Sequence, residues 1–196
     1  MRRSPQFGGG APGPEAQVVI PKHNLDPVWS LRPWPAELEV RGQVYDFPAV
    51  AAVAWLVILM DEQPDLDRVL IELCPTGMEL LFNQEVEPEV LYSAILELIA
   101  TVAARKWWIA LRMISIVRQN WNVLGPEMIM SGIDPQVLSL AAWLDAMLVI
   151  LIRAMDPKEV SLFVSRLELP PPSEMAAEIE RVDEMEMSVE QFLSMR

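Results

Sequence analysis

The hydrophobic pattern changes period along the chain, and each change marks an element. The longest apolar run, residues 137–155, reads VLSLAAWLDAMLVILIRAM. It is apolar on every side of a helical wheel, which predicts a helix enclosed by others. Asp145 is its only charge before Arg153, and on that wheel it shares a face with Leu138, Ala142, Val149 and Ile152. Asp134 is placed to cap this helix, with Pro135 in its first turn. Earlier in the chain, residues 34–47 follow a period of two. Leu38 and Val40 alternate with Glu37, Glu39 and Arg41, and Val44 alternates with Gln43 and Tyr45. With Arg41-Gly42 at the centre, that pattern predicts a β-hairpin.

The helical period takes over from Pro48, which suits a first helical position for an alanine-rich segment ending at Met60. Short helices are expected over residues 66–74 and, from the Thr76/Glu79 capping-box spacing, up to Phe82. Residues 89–104 are amphipathic, with Leu91, Ile95, Leu98, Ile99 and Val102 in one stripe. Residues 107–121 form a second such helix, with Trp107, Ala110, Leu111, Ile114, Val117 and Trp121 on one face and Arg112, Ser115 and Gln119 opposite. Gly125-Pro126 should stop it, leaving 128–133 as a link. Asp156-Pro157 ends the apolar helix, and residues 158–167 read as a shorter helix or an extended segment.

The ends of the chain differ from its middle. Residues 1–27 are rich in Gly and Pro and poor in large apolar groups, so they cannot offset the entropy of ordering and are expected to be a flexible arm. Pro170-Pro171-Pro172 is a stiff spacer, and beyond it residues 173–196 carry seven acidic groups against two arginines. The expected organisation is therefore an arm (1–27), a compact multi-helix domain with a small N-terminal β-hairpin (28–169) and an acidic, Met-rich tail with a short terminal helix (170–196). The fold class is mainly α.

Composition narrows the function classes. A net charge of −13 opposes nucleic-acid binding, whose affinity comes mainly from neutralising phosphates. The 52% hydrophobic content raises the question of a membrane span, yet the apolar run has Asp145 at its centre and falls short of the roughly 20 residues required. No membrane association is expected. The two N-terminal arginines have no apolar run behind them, so no signal peptide is expected. One cysteine, Cys74, excludes an internal disulfide and fits a reducing compartment.

No constellation of catalytic, cofactor or metal-binding residues emerges, and a non-enzyme is expected. His23 stands without a second ligand. Cys74 has no histidine near it in sequence and reads as a buried thiol. Trp107-Trp108 beside Arg105-Lys106 offers a basic aromatic pair, but aromatic residues at helical spacing usually fill a core. Glu37, Glu39 and Asp46 read as a solvated hairpin face. Two features carry more. A carboxylate inside an apolar band is costly unless paired. Asp145 is therefore expected to be a structural buried charge that reaches Arg118 first or Arg112 second, or to lie at a subunit contact. In the tail, Ser188-Val189-Glu190-Gln191 has capping-box spacing, and Val189, Phe192 and Leu193 with Met185 make an apolar set where no core needs one. Those four residues are the expected partner-binding set.

The order Trp34-Pro35-Ala36-Glu37-Leu38, Arg41-Gly42, Tyr45, then Ala54-Trp55-Leu56 and Lys106-Trp107-Trp108-Ile109-Ala110-Leu111-Arg112 resembles the tail assembly chaperones of long-tailed (siphovirus) actinobacteriophages. Leu138-Ser139-Leu140-Ala141-Ala142-Trp143-Leu144-Asp145-Ala146 and the closing Ser188–Leu193 extend the similarity over roughly residues 30–196. None of these motifs is catalytic. The resemblance implies a helper in the host cytoplasm that binds the phage tape measure protein while tail tube subunits polymerise around it, and that is absent from the mature virion. It also implies contact with the tail tube protein through a frameshifted longer form, and it allows a homo-oligomer. A structural connector or tail completion protein of the phage is the alternative, and a small membrane-associated protein is a third.

Overall fold

The computed structural model describes residues 17–19, 32–33, 35–40, 42–82 and 86–175, with nothing placed for the side chains of 17–19. The chain divides into two units, residues 1–151 and 152–196.

In the first unit, strands β2 (Ala36–Val40) and β3 (Gln43–Phe47) form the expected hairpin. Val40 pairs with Gln43 across a two-residue turn in which Gly42 takes φ +80°, a backbone region that a side chain disfavours. The phase of β3 is the reverse of the expected one. Tyr45 and Phe47 face the core opposite Leu38 and Ala36, while Val44 is exposed. In an antiparallel pair, partners share a face, so the register set by the turn decides which residues go in.

A third strand, β1 (Gln17–Val19), adds antiparallel to β2 and makes a sheet of order β1-β2-β3. This strand lies inside the segment expected to be an arm outside the fold. Three residues are too few to display a period, and composition alone does not reveal a strand that forms by pairing with β2. The addition leaves β2 central, with Val18 paired to Leu38.

The helices that follow are α1 (Ala52–Leu59), α2 (Asp67–Leu73), α3 (Gly77–Leu81), α4 (Pro88–Val102), α5 (Trp107–Gln119), α6 (Trp121–Met130) and α7 (Leu140–Arg153). The chain is mainly helical. α4 is the sheet's partner: its stripe of Leu91, Ile95, Leu98, Ile99 and Val102 is buried, and the helix packs against β1, β2 and α5. Among the largest fully buried side chains is Trp143 of α7, whose indole N–H points at the Met128 sulfur at 3.4 Å.

Helix ends depart from expectation in instructive ways. α1 starts four residues after Pro48 and has no capping side chain. Its first N–H groups instead donate to main-chain carbonyls, Ala52 to Leu138 at 2.8 Å and Val53 to Pro135 at 3.0 Å. The 134–138 turn that supplies those carbonyls is held by Asp134, which accepts from the Gln136 N–H at 2.8 Å. Asp134 therefore builds a turn and does not cap α7. The cap is Ser139, a buried residue whose Oγ accepts from the Ala142 N–H at 3.1 Å. Thr76 likewise makes no side-chain cap for α3.

Gly125-Pro126 does not stop a helix. α5 breaks at Asn120, whose side chain donates back to the Ile116 carbonyl at 2.8 Å, and α6 then runs through Pro126. Gly125 has a packing role: a Cβ there would lie 3.1 Å from the Trp121 ring. In the second unit α8 (Pro157–Glu168) is a helix, with Asp156 accepting from the Lys158 N–H at 2.9 Å and Pro157 in the first turn. Its Leu167 is buried.

Candidate interaction surface

Among the described residues, those with reactive chemistry sit as follows. Cys74 is buried, with Sγ 3.6 Å from the Asp46 carbonyl and 3.7 Å from Thr76 Oγ1. His23 lies outside the described residues. Trp107 and Trp108 meet edge to face with centroids 5.6 Å apart, and the Lys106 ammonium stands 5.7 Å from the Trp108 ring. Tyr45 has its hydroxyl pKa raised by burial first, and then by Glu79 and Cys74. Glu37 and Asp46 face one another as cross-strand partners, with Glu39 further along β2. Among the described residues, no group of His, Cys, Asp and Glu could hold a metal ion, and no helix is long and apolar enough to cross a membrane.

Asp145 is not the buried charge expected. Its side chain is 70% exposed, and it pairs with Arg105 rather than with Arg118 or Arg112. The cause is the shape of the chain between α4 and α5. α4 closes with the Arg105 N–H on the Ala100 carbonyl and the Ala104 N–H on the Thr101 carbonyl, each at 3.1 Å, and Ala104 takes φ +51°. That turn leaves Arg105, only 16% exposed, with Nε toward the Ala103 carbonyl, one amino group at the Met113 sulfur and the other at Asp145. α7 is thus not enclosed on all sides. Asp145 and Val149 face solvent and Ile152 is half-buried, while Trp143, Leu144, Met147 and Ile150 are buried. Arg112 and Arg118 lie half-buried on α5, lining an open hollow of about 280 Å³ with Leu59, Asp61 and Ser115.

Among the described residues, an outward apolar surface lies on α6. Val123 is 65% exposed, Ile129 74% and Met130 76%, with Pro126 exposed between them and Val137 soon after. Asn122 and Glu127 are the polar members of that face. Its other side buries Leu124, Gly125 and Met128. Gly125-Pro126 reads in the sequence as a helix stop, which predicts a link over residues 128–133, and a helix apolar on both sides offers no amphipathic stripe against that reading. The signal available was composition: WNVLGPEMIM has one charge in ten residues. Isolated exposed apolar residues are ordinary, but a row of them along one helix marks a contact surface.

The expected partner-binding set, Met185, Val189, Phe192 and Leu193, lies outside the described residues. Comparison with models of protein families, with curated proteins and with solved structures finds no match to this chain.

Proposed function

We propose that this chain is a phage tail assembly chaperone, which binds the tape measure protein and promotes tail tube polymerisation without entering the mature virion. The observation that carries the reading is the outward face of α6, where Val123, Ile129 and Met130 are left to solvent on an otherwise acidic protein. A tape measure protein is a long helical chain with apolar stripes that need cover until the tube encloses them. A rigid apolar helix face can supply that cover by helix-on-helix contact, while the charge of −13 keeps the complex in solution. The order of motifs from Trp34 to Leu193 supports the same reading by resemblance. On this reading the protein works in the host cytoplasm, is not an enzyme and needs no cofactor. Met185, Val189, Phe192 and Leu193 add a second client contact from the tail, and a longer frameshifted form recruits the tail tube protein.

Co-expression with the tape measure protein of the same phage genome tests this. The full chain should keep that client soluble and co-purify with it. Ile129→Lys with Met130→Lys should abolish the effect while the chain stays helical, and truncation after Leu169 should change client affinity. A client that is equally soluble with and without this chain would overturn the reading. Rings of this protein in purified virus particles would instead make it a connector.

A further inference from the structure

A second surface, sharing no residue with the outward face of α6, lies where α3 meets the start of α4. Leu80, Leu81, Val86, Leu91 and Tyr92 line an open groove of about 650 Å³, within the size range of binding clefts. Asp67 and Glu89 stand on it as carboxylates, and among the described residues no lysine, arginine or histidine lines it. Both acids sit in the first turn of a helix, α2 and α4 respectively, where the helix dipole favours negative charge without a counter-ion. Arg68, the cation next to Asp67 in sequence, is turned to Glu72 at 2.7 Å and Asp61 at 3.9 Å. Beside the groove, Phe82 follows Leu81 and is 75% exposed. An apolar floor with an acidic rim is complementary to an apolar segment with basic flanks.

We propose that this groove docks an amphipathic helical segment of a partner protein, one that presents leucine or phenylalanine anchors bordered by lysine or arginine. The anchors enter between Leu81 and Tyr92, and the cations reach Asp67 and Glu89. A small molecule is a poorer fit, because the groove is open along its length and would leave much of a compact ligand in water. A second copy of this chain is also a poorer fit, since two surfaces of a protein with net charge −13 repel as they approach. The proposal does not rest on the chaperone reading.

Two fluorescein-labelled synthetic helices test it against the full chain by anisotropy: one with leucine anchors and lysine flanks, the other with glutamate in place of each lysine. The lysine peptide should bind about tenfold more tightly, with the margin shrinking as salt rises. Asp67→Asn with Glu89→Gln should bring the two peptides to similar affinity, and Tyr92→Ala, on an exposed position, should weaken both. Ile129→Lys with Met130→Lys should leave the groove's preference in place, whatever it does to a tape measure protein. Equal affinities for the two peptides, or a preference that survives the carboxylate substitutions, would overturn the proposal. A homodimer that dissociates on Tyr92→Ala would assign the groove to a second copy and overturn it as well.

Discussion

Ala104 carries the one positive φ among the described non-glycine residues, +51°. A Cβ in that region costs about 1 kcal/mol, and glycine is the usual occupant of the left-handed position after a helix. Ala104→Gly should therefore stabilise the protein by about 0.5–1 kcal/mol and raise its melting temperature by a few degrees. An unchanged or lower temperature in calorimetry would show that the turn is not under strain. One residue on, Arg105 makes the contact with Asp145. Because the carboxylate is mostly solvated, Asp145→Ala should cost less than about 1 kcal/mol, and a loss of several kcal/mol in urea titration would contradict the exposed geometry. Tyr45 acts in the opposite pH range. Burial, Glu79 and Cys74 raise its pKa above the ordinary 10.0, so the folded state holds the phenolic proton more tightly than the unfolded one. The resulting stability is fully present below pH 10 and is lost as pH rises through the folded-state value. Tyr45→Phe should flatten that alkaline decline, whereas identical profiles for the two proteins would remove Tyr45 as its source.

At the scale of elements, two approaches depend on backbone rather than side chains. Gly77 opens α3 against α2, and a Cβ there would lie 2.0 Å from the Leu70 carbonyl oxygen. No rotamer change relieves a clash with main chain, so α3 must move. Gly77→Ala should cost about 1–3 kcal/mol in chemical denaturation, and an unperturbed midpoint would mean that the two helices are not held this closely. The second approach is the docking of α1's first N–H groups on the carbonyls of Pro135 and Leu138. It satisfies donors that no capping side chain serves, and it ties the start of α1 to the turn preceding α7.

For the whole molecule, charge and apolar surface act against one another. A net charge of −13 destabilises a compact chain by self-repulsion and also opposes association through apolar faces such as that of α6. Screening that repulsion should raise the melting temperature between about 10 mM and 150 mM salt, where the Debye length falls from about 30 Å to about 8 Å. A melting temperature that falls over that range would place the balance of charge interactions on the attractive side. The same screening should increase any self-association that uses the α6 face, which light scattering at matched concentrations would detect.

Periodicity alone determined the mainly helical class, the hairpin about Arg41-Gly42, and the buried stripe of α4, because these features depend on residues near one another in sequence. Asp156-Pro157 reads in sequence as the end of the apolar helix and leaves 158–167 open between helix and extended chain, and the structure makes Asp156 the cap of α8. Only the tertiary structure decided what rests on distant partners. Strand β1 exists because β2 offers an edge, and Val44 points outward because the turn sets the register. α1 needs no cap because a turn more than eighty residues later supplies carbonyls. The partner of Asp145 is Arg105 because an αL turn brings that arginine to α7, a placement that a helical wheel of either helix does not contain. The outward face of α6 is decided in the same way. In a helix apolar on both sides, only its packing against the rest of the chain determines which side stays in water.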